Sequence, residues 1–321
     1  SLGWVINLIQ RGSVSMKRIN NIFKIKPGIV SPKRPSPSKT FKGDISFSGV
    51  YFKYRLEKNT KSLIMENFKD FNDVSSASKD SWVLEDINFD ISAGMQAGIV
   101  GFTGSGKSTL VNLLPRLDDP QKGKIFLDGK NIRSYTLDHL RGSIGYVTQM
   151  PFLFSRTIKE NILFGAEGTM DGLSEKEILD RVLKASNISH LHTDISGFAD
   201  SYDTLIGERG VTLSGGQKQR LAIARALVAK PQVLILDDSF SNVDTNTEES
   251  ILKDLKAETA DITTIIISHR ISTIKDSDLI IVLDEGKIDS MGKHSELMTK
   301  CTIYKNLYKR QQLAEELDEE L

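Results

Sequence analysis

Cysteine is almost missing from this sequence. Cys301 is the single one in 321 residues, so no intrachain disulfide can form and a reducing compartment is the natural setting. Also missing is any apolar run near the roughly 18 residues that a membrane-spanning helix takes. There is no excess of basic charge: 42 Lys+Arg stand against 42 Asp+Glu. That balance argues against a generic nucleic-acid binder, whose phosphate contacts need a basic surplus. No internal repeat is present. The chain begins Ser-Leu, without methionine or a signal peptide, as a piece of a longer protein would. What is there excludes wholesale disorder, because 39% of the residues are hydrophobic. The length suits two domains of about 150 residues or one large α/β domain.

The neutral sum hides an asymmetry. Nine basic and no acidic residues lie between Ser1 and Lys42, which leaves 33 basic against 42 acidic for the remainder. The end of the chain holds Glu315, Glu316, Asp318, Glu319 and Glu320 with no basic partner among residues 311–321. Trp4, Val5, Leu8, Ile9, Ile19, Ile22 and Phe23 recur at helical spacing, which predicts a helix from Leu2 to about Ile25, stopping before Pro27. Its first ten residues are mostly apolar and its basic residues begin at Arg11, as at the cytoplasmic end of a membrane helix or on an amphipathic packing helix. Residues 27–43 are Pro- and Ser-rich and read as a linker.

Beyond Asp44 the pattern becomes α/β. Ile45, Phe47, Val50 and Phe52 predict a short strand pair, and 84–91 a further strand. The polar stretch 55–82 reads as an insertion with one weak helix around Leu63–Phe71. Strands are expected at 96–100, 232–237, 263–268 and 279–283, with a helix from Lys107 to about Leu114. Such alternation implies a largely parallel sheet.

The strongest local signal is Gly101-Phe-Thr103-Gly104-Ser105-Gly106-Lys107-Ser108-Thr109, directly after an apolar strand. Glycines let the backbone curl so that successive N–H groups face phosphate oxygens, and the helix that follows adds its positive end. In such a loop Lys107 reaches the β- and γ-phosphates and the Ser108 hydroxyl binds Mg²⁺. The run Val233-Leu-Ile-Leu-Asp237-Asp238 supplies a carboxylate at the tip of a parallel strand, where it holds the Mg²⁺ hydration shell. Then Leu213-Ser214-Gly215-Gly216-Gln217 opens a second helix with glycines, a second anion-reading terminus more than a hundred residues from the first.

On these residues the sequence resembles the nucleotide-binding domain of an ABC transporter, whose signature the LSGGQ run matches. The resemblance spans residues 44–298. It implies a P-loop NTPase core with a mostly parallel sheet, an antiparallel β subdomain and a helical signature subdomain at about 150–228. It implies ATP and Mg²⁺ as ligands, no other metal and no nucleic acid. In the family the signature, here Ser214–Gln217, closes over ATP bound to the opposite subunit. Tyr54 matches the aromatic that stacks on adenine, with Tyr51 the second candidate and a core strand aromatic the structural alternative. Gln149 matches the glutamine that touches Mg²⁺ and senses the membrane domain, Asp244 the residue at the dimer seam, and His269 the switch histidine on the γ-phosphate. Glu208, in a loop like that of exporters, and Phe152 fall where the coupling contact belongs. His139, His190, His192 and His294 read as structural, and Cys301 as inert.

The resemblance further implies the C-terminal part of an exporter half-transporter. Residues 1–26 would extend the last membrane helix, 27–43 would link, and 299–321 would form a helix and acidic tail. The partners implied are a second half-transporter, in a hetero- or homodimer, and the chain's own membrane domain. The place implied is the cell membrane, with this domain on the cytoplasmic side. One departure stands out: the family usually places Glu directly after the metal-site Asp, and this sequence has Asp238. Shortening the catalytic base by one methylene retracts it by about 1 Å, which predicts ATP binding with slow hydrolysis. The family's heterodimeric exporters commonly pair such a site with a competent one. Alternatives are a homodimeric exporter, an ATP-gated regulatory domain with a phosphorylatable insertion (Ser75, Ser76, Ser78), and a soluble ABC ATPase acting on nucleic acid. The last would need a coiled-coil insertion or tandem ATPase domains, and neither is in the sequence.

Overall fold

The computed structural model describes residues 2–37, 40–54, 81–166, 168, 170, 172–207, 211–258 and 261–319. Its elements run in the order α1 (Leu2–Phe23), β1 (Ile45–Phe52), β2 (Leu84–Ile91), β3 (Gln96–Val100), α2 (Lys107–Asn112), β4 (Lys122–Leu127), β5 (Lys130–Asn131), α3 (Leu137–Gly142) and β6 (Ile144–Val147). There follow α4 (Ile158–Leu163), α5 (Glu175–Ile188), α6 (His192–Ser196), α7 (Gly215–Val228), β7 (Val233–Asp237), α8 (Thr245–Glu258), β8 (Thr263–Ile267) and α9 (Ile271–Ile274). The last four are β9 (Leu279–Asp284), β10 (Lys287–Gly292), α10 (His294–Lys300) and α11 (Thr302–Glu319). The chain divides into two units, Ser1–Val30 with Lys53–Trp82, and Ser31–Phe52 with Val83–Leu321.

In the first unit, α1 stops after Phe23, ahead of Pro27, and buries none of its residues. Trp4, Ile9 and Phe23 are exposed. Among the described residues no helix is long and apolar enough to cross a membrane. The Lys53 ammonium lies 5.0 Å from the centre of the Trp82 ring. Residues 55–80, with the weak helix expected around Leu63–Phe71, lie outside the described residues.

The second unit holds two sheets. The smaller has the order β2-β1-β4-β5 and is antiparallel. The strand pair expected at 45–52 is instead one strand, β1, whose register slips between Phe47 and Val50. Gly49 takes a left-handed backbone there (φ 56°), so the inward positions jump from odd to even numbers, which mimics two strands in the sequence. The larger sheet has the order β10-β9-β3-β8-β7-β6, parallel except for β10. β7 and β8 are buried along their whole length, as continuous apolar runs in a doubly covered sheet should be. Alternate residues serve opposite faces: Val233 and Ile235 pack with Phe47 and Leu110, while Leu234 and Leu236 pack with Ile162, Val182 and Leu221.

The stretch read as a linker is docked along its second half. Ser36 N–H donates to Ser134 O at 2.8 Å, and Phe41 is buried and stacked on His139 with centroids 4.6 Å apart. The Asp128 carboxylate accepts N–H groups of Lys42, Gly43 and Asp44 at 2.7, 3.0 and 2.9 Å. A single well-placed carboxylate thus pins a segment whose own composition builds no core.

Candidate nucleotide-binding site

Four parallel strands end side by side, and each carries one part of the site at its C-terminal edge. β3 runs into the glycine-rich loop, β8 into His269, β7 into Asp237 and Asp238, and β6 into Gln149. Register brings Asp237 opposite Ile267 and Ile267 opposite Ile99, so the three turns start at one level.

The loop from Gly101 to Gly106 wraps its own lysine. Lys107 is buried, and its Nζ donates to the carbonyls of Gly101 and Phe102 at 2.8 and 2.9 Å. Gly101 must lack a side chain, because a Cβ would stand 2.1 Å from the Leu283 carbonyl oxygen. Thr103 and Gly104 are exposed at the loop's tip, and Thr109 follows in the first turn of α2. Among the described residues the Ser105 hydroxyl is buried with no hydrogen-bond partner, the kind of orphan that an anionic ligand satisfies. Burial pushes the Lys107 ammonium below its ordinary pKa, opposed by Asp237 and Asp238. Burial likewise pushes Asp237 up, opposed by its bonds to Ser108 and Tyr146.

Ser108 Oγ donates to Asp237 Oδ1 at 3.1 Å, so hydroxyl and carboxylate lie side by side. Two hard oxygen donors beside a phosphate loop fit Mg²⁺, which completes its shell with water and phosphate oxygens. Gln149 Nε2 donates to Asp238 Oδ2 at 3.0 Å, tying β6 to β7 across the site. Asp238 itself takes a left-handed backbone (φ 49°), which aspartate tolerates better than most residues, and its N–H donates to Ile267 O at 2.9 Å. His269 is exposed. Tyr146, which carried no role in the sequence reading, places its hydroxyl 2.7 Å from Asn112 Oδ1 and 3.4 Å from Asp237 Oδ2.

The Ser214–Gln217 motif bonds elsewhere. Ser214 caps α7, accepting from Gln217 N, while Gln217 Oε1 accepts from Ser214 N at 3.0 Å, a reciprocal capping box. Gln217 Nε2 also donates to Asp194 Oδ1 at 3.1 Å, so its side chain serves the cap and α6. Gly215 and Gly216 lie against Asn242. Gln219, buried and not foreseen, donates to Ser241 Oγ at 2.8 Å and accepts from Asn242 N at 2.9 Å. It thereby joins the motif to the segment ending in Asp244, which accepts from Thr247 N at 2.9 Å and so caps α8. Phe152 and Met150 are exposed, 70% and 87%. Tyr54 is 61% exposed and belongs to the first unit, two residues beyond β1. Glu208 lies outside the described residues. The four histidines read as structural bond or stack within the fold: His190 with Asp254, His192 with Tyr202, His294 with Tyr304, and His139 on Phe41. Cys301 is buried. A cavity of about 890 Å³ opens at the other end of the sheet, lined by Phe41, Arg181, Lys184, Gln232 and Ile262 among others, and the phosphate loop takes no part in it.

Comparison with known proteins agrees with this geometry. Residues 84–241 match the ABC transporter family. A probable multidrug resistance ABC transporter ATP-binding/permease protein, YheI of Bacillus subtilis, is 41% identical over 313 residues, 98% of this chain and 48% of that protein. The ABC multidrug transporter MDR2 of Trichophyton rubrum is 44% identical over 239 residues, 74% of this chain and 18% of that protein. The structure of a bacterial Atm1-family ABC exporter with ATP bound superposes with a TM-score of 0.79 at 35% identity, covering 97% of this chain and 49% of that one. The chain thus spans about half the length of the Bacillus relative and of the solved exporter, or less of the other. ABC transporter ATP-binding domains are ATPases with a P-loop fold, and on these matches and this site the chain belongs to the ABC transporter family.

Proposed function

We propose that the chain is the ATP-driven part of an ABC exporter and that its own nucleotide site is the slow one of a heterodimeric pair. The exporter reading is supported by the multidrug and Atm1-family proteins to which it is similar. The slow-site reading is carried by one observation: the residue at the base position is Asp238, engaged by Gln149 at 3.0 Å. A carboxylate one methylene short falls about 1 Å shy of the water it must orient, and such misplacement costs on the order of 100-fold in rate. The backbone N–H groups of 101–109 and Lys107 hold the phosphates, and Tyr54 stacks on adenine. Ser108, Asp237 and Gln149 hold Mg²⁺, which when bound neutralises charge on the phosphate oxygens. His269 binds the γ-phosphate. Ser214, Gly215, Gly216 and Gln217 read the partner subunit's ATP across a seam that includes Asp244. Gln149, Phe152 and Glu208 pass the change to a membrane domain, with this domain on the cytoplasmic side.

A homodimeric exporter is the second reading, favoured by the retained, exposed His269. Single-turnover hydrolysis of radiolabelled ATP separates the two. Lys107→Ala should lose nucleotide binding altogether. Asp238→Glu should bind as before and turn over about tenfold faster or more. Equal rates in Asp238→Glu and the unaltered chain would sink the slow-site reading. A homodimer turning over at full rate without any second half-transporter would establish the other.

A further inference from the structure

The C-terminal helix took no part in the site as read from the sequence. Its stripe of Ile303, Tyr304, Leu307 and Tyr308 packs on the core, with Tyr304 fully buried. That anchoring carries the next turn, Arg310 and Gln311, to two loops of the nucleotide site. The Arg310 guanidinium lies 5.5 Å from the centre of the Phe102 ring. Phe102 is the second residue of the phosphate loop, and its carbonyl accepts from Lys107 Nζ. Gln311 Oε1 accepts from Ile271 N at 2.5 Å, and Gln311 Nε2 donates to Ser272 Oγ at 3.2 Å.

Ile271 opens α9, two residues beyond His269. The N-cap position, Arg270, offers α9 no side-chain acceptor, so the C-terminal helix supplies the one that a helix start requires. Glu248 of α8, itself buried, accepts from Arg270 Nη1 at 3.1 Å and from Thr273 Oγ1. The segment that follows His269 is therefore bonded to both α8 and α11. Because β3 and β8 are neighbours in the sheet, one helical turn reaches the loops that follow both.

We propose that Arg310 and Gln311 are positioning residues for ATP hydrolysis: Gln311 fixes the backbone that presents His269, and Arg310 fixes the mouth of the phosphate loop. Neither residue acts on ATP itself. The inference rests on the reading of His269 and residues 101–109 given above.

The test uses the intact 321-residue chain and reads ATP turnover, ATP affinity, melting temperature and amide exchange at residues 268–274. Gln311→Leu should lower kcat about tenfold with KM little changed, since sub-ångström misplacement of a reacting group is expensive. The amides of Ile271 and Ser272 should exchange faster in that variant. Gln311→Glu keeps the acceptor and should recover most of the rate. Arg310→Ala should instead raise KM for ATP, with Arg310→Lys intermediate. A folded Gln311→Leu with unchanged kcat and unchanged exchange overturns the proposal, as does a Gln311→Glu that falls as far as Gln311→Leu. His269→Ala is the control. If it leaves kcat untouched, the reading of the switch has failed, and the Gln311 result is then judged by exchange alone.

Discussion

Arg225 and the buried Asn161 form one joint between the signature helix and the loop that carries Phe152. Arg225 donates from Nε to Asn161 O, from Nη2 to Asn161 Oδ1 and from Nη1 to Phe152 O, at 2.8, 2.8 and 2.7 Å. Asn161, fully buried, donates to Phe154 O at 2.9 Å and accepts from Phe154 N at 2.9 Å. The guanidinium also lies within 5.8 and 5.9 Å of the Phe154 and Phe164 ring centres. Ser214 caps the helix from which Arg225 projects, so this joint ties the loop of the exposed Phe152 to the helix that opens with the signature.

Arg225→Ala should therefore destabilise the chain by about 1–3 kcal/mol, because it removes the charged donor from two part-buried acceptors on Asn161. Arg225→Lys, which cannot fork across Asn161 and Phe152, should recover little of the loss. Urea unfolding measures both. A loss of less than about 1 kcal/mol in Arg225→Ala would show that water replaces the joint without cost.

Three exposed carboxylates at helix starts are held below their ordinary pKa by the hydrogen bonds they accept. The backbone N–H of Thr157 holds Glu160 below its ordinary pKa, the Ser174 hydroxyl does the same for Glu177, and the Thr247 N–H for Asp244. A folded pKa below the unfolded one gives stability that is present above the unfolded value and is lost as pH falls through the folded value. Burial gives Asp237 the opposite sign, so the whole-chain profile mixes the two. Glu177→Gln separates them, since Gln resembles the protonated acid. That variant should melt below the unaltered chain at neutral pH, with the gap closing as pH drops through and below about 4.3. A gap independent of pH would mean that the carboxylate charge contributes nothing to the cap.

The parts of the site legible in the sequence are those built from contiguous residues. Val233–Leu236 reads as a buried parallel strand because it is apolar throughout, and residues 101–109 read as a phosphate loop because the glycines, lysine and serine keep a fixed spacing. The parts that stayed hidden depend on partners distant in the chain. Arg225 and Asn161 are 64 residues apart, and each alone looks like a polar residue on a helix. Asp128 pins Lys42 from 86 residues away, which no linker composition foretells. Gln219 was hidden differently: it lies two residues beyond a recognised motif, and only the position of Asn242 gives it a task.

That task yields the sharpest packing prediction. A Cβ on Gly216 would stand 2.7 Å from the backbone oxygen of Asn242, and one on Gly215 would meet the Asn242 side chain at 3.1 and 3.2 Å. The contacts at Gly215 need a shift of only a few tenths of an ångström, whereas the peptide that carries the Asn242 oxygen is held by the Val243 N–H, which donates to Phe240 O at 3.0 Å. Alanine in place of glycine favours a helix by about 1 kcal/mol, whereas overpacking of this kind costs about 1–3 kcal/mol. Gly215→Ala should thus be close to neutral in melting temperature, and Gly216→Ala should be destabilised. Because the strain in Gly216→Ala falls on the segment 241–244, the ATP-dependent dimerisation proposed above, followed by sedimentation, should weaken more than the melting temperature suggests. Matching behaviour of the two variants in both measurements would show that the segment yields freely and that the glycines are present for another reason.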